Sequence, residues 1–156
     1  MSSVALLNPI CRGLVGYVSY MAACSESEVY SEYLLYEPIS RIAKSKCYRV
    51  PHEMPIGIKT GKRGDRKRVD FQFAKDDRTV ALEVKWWDPE GSRDVTHDVT
   101  KLKATKSKDR FLIIFGPGET LAKCKAKSDR TLLLWGGKLV RWKSGKTDYA
   151  ARWIKV

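Results

Sequence analysis

Asp70, Glu83 and Lys85 are two acids and an amine at a spacing that chemistry can use. The segments that carry them, residues 68–74 and 79–87, alternate apolar and polar side chains as half-buried strands do. Only Lys75-Asp76-Asp77-Arg78 separates them, too short for a crossover helix, so the pair is expected to form an antiparallel hairpin. A two-residue turn at Asp76-Asp77 sets 75 opposite 78, and counting outward brings Asp70 opposite Glu83. Directly opposed residues share a face with Cβ atoms about 4.5–5.5 Å apart. Lys85, two residues beyond Glu83, shares that face, and Val69, Phe71, Leu82 and Val84 are expected on the other.

Two neighbouring carboxylates repel. The usual remedies are a shared proton, a cationic partner or a hard divalent ion with oxygen ligands. Magnesium suits the pair, with manganese as a substitute, because it binds through one or two carboxylates while keeping waters and accepting phosphate oxygens. It also lowers the pKa of a bound water, which Lys85 would orient or deprotonate, or Lys85 would neutralise charge developing on a phosphate. The plain alternative is a solvated charge trio in which Lys85 pairs with either acid, worth about 0–1 kcal/mol.

Several elements must position these groups. Residues 25–44 read as a helix: Ser25 can cap it, Glu28 completes a capping box, and Val29, Leu35, Ile39 and Ile42 recur at helical spacing. Pro38 predicts a kink or break. Glu32 falls on the stripe facing the core, where an unpaired acid is costly and a carboxylate for the metal shell would be well placed. Residues 47–50 read as a short strand, followed by a mobile basic loop rich in Pro and Gly. Further on come a helix within 92–107, a buried central strand at 111–115, a short helix at 119–127, and a hairpin whose strands flank Gly136-Gly137. The expected fold class is α/β (α+β), a mixed central sheet with an α-β-β-β-α-β core. Residues 1–156 form one domain in this reading, with the core at 25–117, an N-terminal extension at 1–24 and C-terminal additions at 118–156.

Val69-Asp70, twelve intervening residues and then Glu83-Val84-Lys85 resemble the PD-(D/E)XK, or restriction-endonuclease-like, nuclease superfamily, whose core has the same element order. The resemblance covers residues 25–117 and implies a magnesium-dependent endonuclease. By it, Asp70 and Glu83 are metal ligands, the backbone carbonyl of Val84 is a third ligand, Lys85 is the catalytic lysine, and Glu32 is the acid of the first helix. Val69 stands where the motif's name has proline.

Composition points the same way. Thirty Lys and Arg against 18 Asp and Glu give a net charge of +12, and the imbalance is lopsided: residues 1–40 carry −3 and the rest +15. Neutralising phosphates is the common reason for so much self-repelling charge on a small body, so DNA or RNA is the expected partner. Lys59, Lys62, Arg63, Arg66, Lys67 and Arg68 are expected to grip the backbone, with Lys101 adding to them and Trp87 stacking on a base. Trp86, Trp135, Trp142 and Trp153 are assigned to packing, and His97-Asp98 is read as structural rather than as a general base. A non-catalytic nucleic-acid-binding module is the rival. A toxin-like nuclease silenced by an acidic immunity-type partner is another, and homodimerisation is compatible with either. The longest early apolar stretch is interrupted by Asn8, Pro9 and Arg12, so no membrane span and no export signal are expected. Four widely spaced cysteines with no C-x-x-C pair fit reduced thiols and a cytoplasmic setting.

Overall fold

The structure is a computed structural model that describes residues 4–24, 35–50, 52–59, 66–87, 95–128, 131–144 and 147–156. It is mixed α/β. A 20-residue helix α1 (Val4–Ala23) and a shorter α2 (Tyr36–Ser45) precede the strands β1 (His52–Lys59), β2 (Arg66–Lys75) and β3 (Arg78–Trp86). Helix α3 (Thr96–Lys103), strand β4 (Asp109–Pro117) and the short α4 (Gly118–Ala122) follow. The chain ends with β5 (Lys127–Ser128), β6 (Thr131–Leu132), β7 (Val140–Ser144) and β8 (Thr147–Lys155). Six strands form one sheet in the order β1-β2-β3-β4-β8-β7, in which β3 and β4 are parallel and the other neighbours antiparallel; β5 and β6 pair separately.

Each face of the sheet buries its own core. On one, Leu6, Leu7, Ile10 and Leu14 of α1 and Ile39 of α2 meet Phe71, Phe73, Leu82, Ile113 and Trp153. On the other, Val99 and Leu102 of α3 and Leu121 of α4 meet Ala81, Leu112, Ile114 and Ile154. Strand β4 is buried from Phe111 to Gly116, as a central strand with helices on both sides must be.

Several sequence expectations are corrected. The N-terminal extension carries the helix α1, which packs against β8, β7 and α2. Its Asn8 is answered from far along the chain, accepting a hydrogen bond from the Trp153 indole at 3.1 Å. Residues 25–34 of the helix expected over 25–44 lie outside the described residues, and Pro38 sits near the start of the part described, α2. It is the third residue of the helix, in the first turn, where a missing N–H costs no helical bond. Residues 47–50 contribute only a single bridge, Arg49 to Ala74, while part of the expected basic loop is β1. Pro55 and Gly57 are tolerated there because β1 is an edge strand, although its register slips between Pro55 and Lys59.

The C-terminal hairpin is also elsewhere. Strand β7 pairs with β8, from Val140↔Ala151 to Ser144↔Thr147, and Trp135 bridges to Ile154. Gly136 and Gly137 are not a turn between strands: a Cβ on Gly136 would lie 1.8 Å from the Trp153 ring, and one on Gly137 would lie 2.3 Å from its Nε1. The two glycines are a flat bed for an indole. Among the described residues no helix is long and apolar enough to cross a membrane.

Candidate active site

The β2–β3 ladder runs from Lys75↔Arg78 to Phe71↔Leu82, the register that a two-residue turn at Asp76-Asp77 dictates. Asp76 takes a φ of 50° to make that turn. Beyond Phe71 a side chain intervenes: Asp70 Oδ2 accepts a hydrogen bond from the Val84 amide at 2.8 Å. The strand's next donor is thus satisfied by a carboxylate instead of a backbone carbonyl, and the alternation of faces breaks at this point. Val69 packs in the second core, beside Ala81 and Trp87, and not with Phe71 and Phe73 in the first. The expectation that Val69 shares their face is corrected accordingly.

Glu83 lies on the face of β3 that looks toward α3. It is 3% exposed, so its carboxyl group has lost nearly all its water. One oxygen, Oε2, accepts a hydrogen bond from Lys101 Nζ at 2.5 Å; the other, Oε1, is buried with no hydrogen-bond partner. Burial pushes the Glu83 pKa up to about 8, the Asp70 charge adds to the rise, and Lys101 opposes it without prevailing. Asp70 is raised as well, first by burial, although the Val84 amide, Lys101 and a hydrogen bond from the Glu83 carboxyl favour its charged form. Lys101 loses hydration on burial, yet the Glu83 and Asp70 carboxyl groups more than compensate and hold it above the ordinary lysine range.

The second amine is Lys85. Its Nζ sits 3.2 Å from Asp98 Oδ2, and Asp98 Oδ1 is 3.8 Å from Lys101 Nζ, so one carboxylate on α3 borders both lysines. His97, next in sequence, is 67% exposed with Nδ1 4.0 Å from Asp98 Oδ1, at the rim of the cluster. Asp70 and Glu83 therefore come together with Lys101 as their amine, and Lys85 is linked to them through Asp98.

The remaining expected residues fall in three groups. Glu32, Lys62 and Arg63 lie outside the described residues. Lys59 ends β1, and Arg66, Lys67 and Arg68 begin β2, on the paired edge of the sheet nearest Asp70. Trp87 and Lys101 are corrections. Trp87 is 3% exposed in the second core, its backbone pressed against Gly116 and its amide donating to the Phe115 carbonyl, which leaves no ring face for a base. Lys101 is no surface cation, because its side chain is 14% exposed and turned inward onto Glu83. Asp98 and Lys101 stand one turn apart on α3, the spacing that would match two groups two residues apart on a facing strand. That correspondence was the available signal for both.

Among the described residues no three His, Cys, Asp or Glu side chains are gathered closely enough to hold a metal ion. The chemistry nevertheless fits a hard cation at Asp70 and Glu83. Between the two acids a proton supplies the positive charge at neutral pH, since Glu83 is pushed up to about 8 and hydrogen-bonds with Asp70, and a divalent cation, which takes oxygen donors, would replace that proton. No protein-family model, no curated protein and no solved structure matches the chain.

Proposed function

We propose that the chain is a metal-dependent nuclease, hydrolysing phosphodiester bonds of DNA or RNA at the Asp70–Glu83–Lys85 cluster. The observation that carries this reading is the burial of two carboxyl groups, Asp70 and Glu83, against one another, each raised above the ordinary carboxylate range. A fold that needed only a salt bridge would require one acid here, and the second makes the first harder to ionise. Asp70 and Glu83, with the Val84 carbonyl, would hold magnesium or manganese, which when bound supplies positive charge for phosphate oxygens and acidifies a water molecule.

The chain's own groups have distinct tasks. Asp70, fixed by the Val84 amide, is oriented before any ligand arrives. Lys85, whose side chain is 30% exposed, is the more open of the two amines and can donate to a phosphate oxygen as charge develops there. The cations that end β1 and begin β2 lie upstream of Asp70, where they would bind the nucleic-acid backbone. The succession α2, β1, β2, β3, α3, β4 supports the resemblance to PD-(D/E)XK nucleases.

One observation favours a second reading, a module that binds nucleic acid without cutting it: Lys85 and Lys101 both already sit on acids, as they would in a purely structural network. Incubating the pure protein with duplex DNA, single-stranded DNA and transfer RNA, in magnesium, manganese or EDTA, separates the two. Cleavage that needs metal and disappears in Asp70→Asn and Glu83→Gln supports the nuclease. Binding without cleavage in every arm supports the module, and undiminished cutting in EDTA rejects the metal-dependent site.

A further inference from the structure

The ammonium that meets Glu83 does not come from the neighbouring strand position. Lys85, two residues along β3, is drawn to Asp98 instead, and Lys101 reaches Glu83 Oε2 from α3 at 2.5 Å. Lys101 is also the more enclosed amine, its side chain 14% exposed against 30% for Lys85. A second acid waits beside it: Asp98 Oδ1 lies 3.8 Å away, three residues back on the same helix.

A cation coordinated by Glu83 and an ammonium on the same carboxylate compete for the same charge at the same place. Magnesium approaches its oxygen ligands to about 2.0–2.1 Å, which leaves an ammonium in contact with Glu83 strongly repelled in a site with little water. Asp98, 17% exposed, is the acid within reach that can receive it. Resting on the reading of Asp70 and Glu83 as a metal site, we propose that Lys101, bonded to Glu83, is the resident counter-ion of the Asp70–Glu83 pair, which a divalent cation displaces onto Asp98. Lys101 thereby tunes metal affinity downward while keeping the empty site folded. Asp98 is the positioning residue that makes the exchange favourable.

Calorimetric titration with manganese, in the absence of nucleic acid, tests this on the whole chain. The variants are Lys101→Met, Lys101→Gln and Asp98→Asn, with Lys103→Met as a control that removes one positive charge from the exposed side of the same helix. Lys101→Gln guards against misfolding, because its amide can still donate to Glu83. The expected result is manganese affinity at least tenfold tighter in Lys101→Gln than in the wild type or Lys103→Met, and weaker than wild type in Asp98→Asn. Equal affinity in the wild type and Lys101→Gln overturns the counter-ion role while leaving the metal site standing. No binding by the wild type or by any Lys101 variant overturns the metal site itself, and the proposal with it.

Discussion

Asp70 Oδ2 takes the amide of Val84 at 2.8 Å, and so a side chain, not a backbone carbonyl, ends the β2–β3 ladder. The carboxylate has two jobs in consequence. It holds the edge of a gap between strands and it places an acid beside Glu83.

Those jobs separate by substitution. Asp70→Ala leaves the Val84 amide without its acceptor, which costs about 1–3 kcal/mol for a buried donor. Asp70→Asn keeps an oxygen for that amide and loses only the charge. Urea unfolding is expected to show Asp70→Ala less stable by that amount and Asp70→Asn close to wild type, with cleavage lost in both. Equal stability of the two variants would remove the structural half of the claim.

Glu83 makes a prediction with an unusual sign. Its pKa rises from an ordinary value of 4.5 to about 8 on folding, so between those limits the folded chain holds a proton that the unfolded chain has released. Stability then falls as pH rises, by at most roughly 1.4 kcal/mol per pH unit for one proton. The penalty is absent below 4.5 and constant above about 8. Thermal melts from pH 5 to pH 8 are expected to show this decline in the wild type and a flatter profile in Glu83→Gln, which should be the more stable protein at pH 8. Manganese competes with the same proton, so it should raise the melting temperature more at pH 8 than at pH 6. A wild-type profile that rises over this range would contradict the assignment of the proton to Glu83.

The parts of this site that the sequence reveals are those fixed by local geometry. Turn length and two-residue alternation fix the ladder as far as Phe71 opposite Leu82, which delivers Asp70 to the neighbourhood of Glu83 with no distant contact. What stays hidden depends on partners far along the chain. Asn8 looks like an interruption of an apolar run until Trp153, 145 positions away, donates to it. Pro55 and Gly57 look like loop residues until β1 is known to be an edge. Lys101 reads as one of many exposed cations, because which face of α3 looks at Glu83 is set by how that helix packs across β3 and β4. The basic surplus similarly hides a lysine that is turned inward.

The glycine bed under Trp153 is testable as packing. Gly136→Ala would drive a methyl group into the indole, which cannot retreat freely because its Nε1 is tied to Asn8 on α1. Overpacking of this kind costs typically about 1–3 kcal/mol. Trp153→Phe removes the tie and orphans little else, at about 1 kcal/mol for the hydrogen bond and additional loss from the smaller ring. Chemical unfolding of both variants measures this. An undiminished midpoint for Gly136→Ala would mean that these glycines are ordinary turn residues after all.

Helix α2 ends at a position made for glycine but occupied by cysteine. The Tyr48 amide donates to the Ala43 carbonyl at 3.0 Å and the Cys47 amide to the Lys44 carbonyl at 2.9 Å, the paired bonds of a Schellman cap. The residue between the helix and Tyr48 must turn left-handed, and Cys47 does so with a φ of 63°. A Cβ in that conformation crowds the following carbonyl, at a cost of about 1–2 kcal/mol that glycine avoids. Glycine gives part of this back through the greater freedom of its unfolded chain. Cys47→Gly is therefore expected to stabilise the protein by about 0.5–1 kcal/mol in urea unfolding. The exposed thiol of Cys47 is lost with no packing to replace, so cleavage and nucleic-acid binding should be untouched. Cys47→Ala keeps the strained Cβ and serves as the comparison: if it stabilises as much as Cys47→Gly, the gain comes from removing the thiol and not from relieving the backbone.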